Sequence, residues 1–248
     1  MAGGPERERR LSPRNVPERR APSAAFAFRA RRSRFEAPLP TSFFERPTER
    51  VARDLLGAVL SCCANGTVTS GRIVEVEAYL GPGDPACHAA AGITKRNRHL
   101  HGPPGTAYVY RIYGMHWCVN AVTREVGHGS AVLIRALDVV DGIEIARERR
   151  KGVVRDRDLA NGPGKVCQAL GITGMHDGLR LDRGSLQLRQ GAPVSDDDVV
   201  VSPRIGISKA IDWPLRYFVR GSANVSRPPQ RLEEWPLATA PKALGPSS

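Results

Sequence analysis

Aromatic residues make up only 6 % of this 248-residue chain, and lysine supplies only five of its 37 basic residues. Acid is short as well: 25 Asp and Glu leave a formal net charge of +12. An excess of that size points to an anionic partner, either a nucleic acid or an acidic membrane surface. The dominance of arginine over lysine is also what an Arg-, Ala- and Gly-rich composition gives by itself, so charge alone names no partner. There is no CxxC pair, and the cysteines at 62, 63, 87, 118 and 167 are odd in number and without framework spacing. A disulfide scaffold is excluded, and with no signal peptide read at the N-terminus the expected setting is reducing and cytoplasmic, at the nucleoid in a bacterium. No apolar run approaches the roughly 18 residues of a membrane span, so no membrane partner is expected. No internal repeat is present.

What the chain does contain is enough apolar residue, 41 %, to bury a sizeable core in one large domain or two small ones. Residues 1–40 form an Arg-, Pro- and Ala-rich arm without helical or strand period, expected to be disordered. Within residues 1–36, ten arginines face four glutamates, which is half of the net charge. A nonspecific electrostatic tether is preferred to a transit peptide, because Glu6, Glu8 and Glu18 break the acid-poor pattern of such addresses. Residues 227–248 read as a loose Pro-rich tail, and residues 41–226 as the folded domain.

The stretch Gly71–Leu80 is the most informative. Strand side chains alternate, which puts Ile73, Glu75, Glu77 and Tyr79 on one face and Val74, Val76 and Ala78 on the other. Two glutamates on a buried face are expensive unless paired; the alternative is a half-exposed strand with a solvated acidic face. Upstream, Pro47 suits a first helical turn, Val51 and Leu55 share a face, and Gly57 can end that helix. The run 58–63 then meets Thr67 through Asn65-Gly66, a tight hairpin turn.

Residues 86–105 read as a long basic loop holding His88, Lys95, Arg96, Arg98, His99 and His101. Such loops tend to carry function. His99 and His101 lack a third ligand at usable spacing, so no metal is expected. Cys87-His88, adjacent in sequence, is a poor nucleophile and base arrangement. In 107–122, Tyr108, Tyr110 and Ile112 share a strand face, whereas Tyr113 has the opposite parity just before Gly114. A protruding aromatic at a hairpin tip is a wedge; the alternative is a tyrosine corner or a lid over the core. Arg135 interrupts the apolar strand 131–140 and calls for a carboxylate of the same sheet or a bound anion. A helix is expected over 141–150 and another opened by Asn161-Gly162-Pro163-Gly164-Lys165, whose free N–H groups and lysine suit a phosphate. Residues 204–225 give one or two closing strands rich in Lys209, Arg216 and Arg220.

A carboxylate beside aromatics, a wedge and basic loops is what base extrusion requires. The segments Arg-Ile-Val-Glu-Val-Glu-Ala-Tyr-Leu-Gly-Pro, Lys-Arg-Asn-Arg, Pro-Gly-Thr-Ala-Tyr-Val-Tyr-Arg-Ile-Tyr-Gly-Met, Val-Leu-Ile-Arg-Ala-Leu, Asn-Gly-Pro-Gly-Lys and Pro-Leu-Arg-Tyr-Phe-Val-Arg-Gly occur in order over residues 42–226. Together they resemble the alkyladenine (3-methyladenine) DNA glycosylase family. The resemblance implies a mixed α/β (α+β) single domain, with a curved, largely antiparallel sheet surrounded by helices. It implies a monomeric, monofunctional enzyme that excises alkylated or deaminated purines from double-stranded DNA without metal or cofactor and leaves an abasic site. By that resemblance Glu77 is the general base, and Glu75 is secondary or structural. Tyr79, His88 and Tyr110 enclose the flipped base, and Asn120 guards against guanine. Arg135 holds the water and a phosphate. Tyr113 is the wedge with Met115 beside it, and Arg96, Lys165 and Arg220 sit in basic segments that meet the DNA. His116-Trp117 departs from the family's usual aromatics, which bears on the strand opposite the lesion. The reading from another class is a non-catalytic DNA or RNA binding module on the same fold.

Overall fold

The computed structural model describes residues 37–226. Two short helices open the domain, α1 (Thr41–Phe44) and α2 (Thr48–Leu55). Pro47 stands as the N-cap of α2 and its Val51 and Leu55 are buried, as the spacing predicts. Strands β1 (Val59–Ala64) and β2 (Thr67–Tyr79) follow as an antiparallel hairpin. Its turn is made by Asn65 and Gly66 at φ 52° and 75°, the left-handed conformation that both central residues of such a turn require.

Strands β3 (Ala107–Ile112), β4 (His116–Thr123) and β5 (Ser130–Asp141) form a meander. Helix α3 (Ile143–Arg149) begins later than expected, because Asp141 ends β5 and Gly142, at φ 70°, turns the chain between them. Helix α4 (Pro163–Leu170) starts on Pro163, within the expected opening segment, and ends at left-handed Gly171. Three four-residue strands close the domain: β6 (Leu186–Arg189), β7 (Val199–Ser202) and β8 (Arg216–Val219). Only β8 falls within the region expected to close the sheet.

All eight strands join one antiparallel sheet, ordered β3-β4-β5-β2-β1-β6, with β8 pairing both β2 and β7. This is a single α+β domain of the expected class. Strand β2 is its axis: β5 runs along one edge, while β1 (from Thr67 to Arg72) and β8 (from Glu75 to Glu77) share the other. Helices α2, α3 and α4 cover one face, where Val51, Leu55, Val76, Ala78, Ile134, Leu137 and Leu170 form the main core. The opposite face carries a smaller cluster of Cys87, Ala89, Leu100, Tyr108, Val122 and Ala131, against which Tyr79 and Tyr110 pack.

Ile73 departs from the alternation. It lies in the main core with Val76 and Ala78, not beside Glu75. The pairing explains why: Ile73 faces Leu137, Glu75 faces Ala136 and Val76 faces Ile134. Val74 is therefore an extra residue in β2 and Arg135 an extra residue in β5. Each bulge shifts parity by one, so odd-numbered side chains face the core before Val74 and the opposite face after it.

Residues 37–40, expected within the arm, are docked on the domain. Leu39 is buried and its N–H donates to Leu188 O at 2.9 Å. The remainder of the arm and the tail from 227 lie outside the described residues. Among the described residues no helix is long and apolar enough to cross a membrane.

Candidate active site

Antiparallel register alone lines up the site. Tyr108 pairs with Asn120, Asn120 with Leu133, Leu133 with Glu77, and Glu77 with Arg216. Directly opposed residues point to the same face, so five strands deliver one row of side chains to the face away from the helices. A cleft of about 1000 Å³ opens above this row.

Glu77 is fully buried and lies just beneath the cleft, separated from it by Tyr79, Leu133, Arg135 and Ile205, which line it. One of its oxygens accepts from the Tyr79 hydroxyl at 3.0 Å and from Arg135 Nη1 at 3.1 Å; the other accepts from the Ile205 N–H at 2.7 Å. Burial pushes the carboxyl above its ordinary range and outweighs the opposing pull of Arg135, the Ile205 N–H and the Tyr79 hydroxyl. Glu75 is also buried and behaves oppositely. Burial pushes it up too, but Arg135 and Arg216, with the Ser226 N–H at 2.6 Å, hold it below the usual carboxylate range. Two glutamates one pleat apart thus have environments that drive them apart.

Arg135 has its expected carboxylate partners. Its Nε donates to Glu75 at 2.9 Å, Nη1 to Glu77, and Nη2 to Ser226 Oγ at 3.2 Å. Burial works against its charge, and the two carboxylates more than restore it.

The aromatic wall is compact. The His88 and Tyr110 rings meet edge to face with centroids 4.5 Å apart, and Tyr108 stacks on Tyr110 at 5.3 Å. His88 Nδ1 is hydrogen-bonded to the Tyr108 hydroxyl at 2.9 Å, which leaves Nε2 to address a ligand. Crowding in the cleft and the nearby Arg96 charge hold the imidazole below its ordinary range, hence neutral at pH 7. Burial pushes the Tyr79, Tyr108 and Tyr110 hydroxyls up, so they stay protonated donors. Asn120 lines the cleft with its amide fixed by donation to Tyr108 O at 2.9 Å.

The β3–β4 hairpin tip stands beside the cleft. Tyr113 is 84 % exposed at φ 49°, and Met115 is 70 % exposed. That exposure removes the core-lid alternative for Tyr113. Tyr113, Arg96 and Lys165 line the cleft, with the Lys165 ammonium donating to Asn161 Oδ1 at 2.7 Å. Met115 sits on the far side of the hairpin, in a second depression shared with His116, Trp117 and Met175. Arg220 is not brought to the cleft, and donates to Asp197 O at 3.3 Å.

Other titratable groups are accounted for. Cys87 is buried, which pushes its thiol up, and it donates to Gly129 O, so no thiolate is offered. His99 is engaged by Asp177 at 2.7 Å. Among the described residues no three His, Cys, Asp or Glu side chains gather to hold a metal. Sequence reasoning missed Asp84, Arg204, Ile205 and Ser226. The run Gly81-Pro82-Gly83-Asp84-Pro85 reads in sequence only as a break in regular structure, and nothing local marks 84 and 204 as partners.

The sequence profile of the methylpurine-DNA glycosylase family matches residues 42–223. Among similar proteins, one from Methanoculleus marisnigri is 52 % identical over 192 residues, covering 76 % of this chain and 98 % of that protein. One from Rhodopseudomonas palustris is 52 % identical over 192 residues, covering 77 % and 91 %, and one from Myxococcus xanthus 46 % over 194, covering 77 % and 94 %. All three carry the name "Putative 3-methyladenine DNA glycosylase". A match over most of the folded domain and identities near one half leave one assignment: the chain belongs to the methylpurine-DNA glycosylase family.

Proposed function

We propose that this DNA glycosylase draws an alkylated purine out of duplex DNA into the cleft and hydrolyses its N-glycosidic bond with a water activated by Glu77. The observation that carries this reading is the Glu77 carboxylate itself. An ionised carboxylate offers about four acceptor positions, and Tyr79, Arg135 and Ile205 fill three. One position remains for one water, which would enter beneath the cleft between the lining residues Tyr79, Arg135 and Ile205. Its raised pKa suits a general base working toward neutral pH. The ionised carboxylate also stabilises the oxocarbenium character that develops on the sugar as the base departs. Arg135, charged and almost wholly inside, is assigned to the carboxylates and the water, not to a phosphate.

In this scheme Tyr79, Tyr110 and His88 stack on and enclose the base, Asn120 narrows the pocket beside it, and Tyr113 fills the gap left in the duplex. Arg96 and Lys165 face the backbone phosphates. One chain carries the whole site, so it acts as a monomer. Lys165 is held by Asn161 at the rim, away from the sugar, so the product is an abasic site without strand cleavage.

Tyrosine faces favour cationic bases, and the neutral His88 supplies no acid for a neutral leaving group. The preferred substrates are therefore the positively charged 3-methyladenine and 7-methylguanine, ahead of hypoxanthine or ethenoadenine. Base release from duplexes carrying each lesion at pH 7 tests this order. Faster hypoxanthine release overturns it, and tight lesion binding with no release of any base makes the chain a binding module.

A further inference from the structure

Asp84 and Arg204 are both buried side chains outside the catalytic row, yet they touch it at several points. Arg204 forms a two-pronged pair with the Asp84 carboxylate, with Nη2 donating at 2.8 Å, and Nη1 also donates to Ala78 O at 3.1 Å. Its guanidinium lies 4.7 Å from the centroid of the Tyr79 ring. Asp84 additionally accepts from Leu80 N at 3.1 Å and Ala86 N at 3.0 Å, which shapes the turn leading into His88. The residue after Arg204 is Ile205, whose N–H donates to Glu77 at 2.7 Å. Arg204 does not line the cleft, whereas Ile205 and Tyr79 do.

A buried ion pair costs desolvation that hydrophobic replacement would avoid, and here Arg204 Nε is also left without a partner. A pair retained at that cost serves position more than stability. We propose that the Asp84–Arg204 pair is a positioning clamp for the proposed base. By fixing Ile205 N–H on Glu77 and the Tyr79 ring over its own hydroxyl contact, it sets the rate of glycosidic cleavage and not the affinity for DNA. The inference rests on the reading of Glu77 as the base.

The charges around Glu77 define what the clamp adds. Arg135 from β5 and Arg204 from the segment before β8 favour the ionised form, and Glu75 on β2 opposes it. Arg216 from β8 is engaged with Glu75 at 2.8 Å. Tyr79, Tyr110 and Cys118 are held neutral by burial, with the Cys118 thiol pushed up to about 11. Loosening the Ile205 N–H removes one charge-assisted hydrogen bond from the ionised carboxylate. The acidic limb of the rate then moves to higher pH by about one unit.

The test uses Asp84→Asn and Arg204→Lys in the full chain, on a 7-methylguanine duplex with enzyme in excess. The fraction of folded enzyme is fixed by titration with abasic-site DNA. Asp84→Asn is expected to lower the single-turnover rate about ten- to hundredfold, to move the acidic limb upward, and to leave the dissociation constant for abasic DNA within about twofold. Arg204→Lys, which keeps the charge but loses the two-pronged contact, is expected to lower the rate in the same sense but by less than Asp84→Asn. On a Glu77→Gln background Asp84→Asn is expected to cost nothing further, because its effect runs through that carboxylate. A rate loss with an unmoved pH limb, losses that add on the Glu77→Gln background, or an equal fall in DNA affinity overturns the clamp. If Asp84→Asn does not fold, the same readouts on Arg204→Lys decide. Glu77→Gln retaining the wild-type rate defeats the base assignment instead, and is distinguishable from failure of the clamp alone.

Discussion

The floor of the cleft and the tip of the β3–β4 hairpin are both sequence-marked, yet they are built in opposite ways. At and beneath the floor, Glu75, Glu77, Arg135 and Arg216 are buried, and each charge is held by at least two partners. At the tip, Tyr113 and Met115 stand in solvent on the three-residue turn between β3 and β4. Chemistry needs a carboxylate fixed in place in a dry setting, whereas a wedge needs reach and an unoccupied ring. The difference separates rate from affinity: a change on the floor should alter turnover and folding, a change at the tip only the grip on DNA.

The largest effect that can break this contrast is at Glu77. Glu77→Gln keeps the shape and removes the proposed base, so excision should fall by at least about a thousandfold while lesion-duplex affinity stays within about twofold, as read by single-turnover kinetics and fluorescence anisotropy. Arg135→Ala leaves two buried carboxylates facing each other and should lose about 3–5 kcal/mol of stability in urea unfolding. The pH response follows from the direction of the Glu77 shift. Its pKa is raised by burial, so the base-active ionised form gains as pH rises through a range above that of an ordinary carboxylate, and below it the rate on 7-methylguanine should drop about tenfold per unit. A profile flat from pH 4.5 upward would remove the burial argument.

At the tip the expected numbers are smaller. Tyr113→Ala should weaken lesion-duplex binding by about 1–2 kcal/mol through lost stacking, with urea stability unchanged within about 0.5 kcal/mol. Loss of stability as large as that at Arg135 would collapse the contrast. Removing residues 1–36, which carry half the net charge, should mainly flatten the salt dependence of binding and leave the choice of base unchanged.

Much of the floor was legible because alternation is local: Glu75, Glu77 and Tyr79 share a face as their spacing says, Tyr108 and Tyr110 likewise, and Arg135 required a carboxylate and found two. Tyr113 was legible from parity and a following glycine. Alternation failed at Ile73 because a bulge leaves no local mark. It could not separate Glu75 from Glu77 either, since what divides them is Ser226 and Arg216 on one side and Ile205 on the other, all more than 120 residues away. Asp84 and Arg204 are separated by 120 residues, and their pairing exists only once β8 closes against β2. Strands β6 and β7 escaped notice because four residues hold too little period to read.

The paired bulges have a consequence for how the sheet forms. Before them Ile73 faces Leu137 and after them Val76 faces Ile134, so the two extra residues cancel and the ladder has one register on both sides of them, from Gly71 to Tyr79. A ladder without either bulge would carry that same register, with Glu75 opposite Arg135. The chain therefore has an in-register competitor that satisfies every turn. What rejects it is burial alone, because it would force Ile73 out of the core. Early pairing of β2 with β5 is expected to sample both ladders, and commitment waits until helices α2 and α4 cover the apolar face, a folding order set by the two residues that create the site.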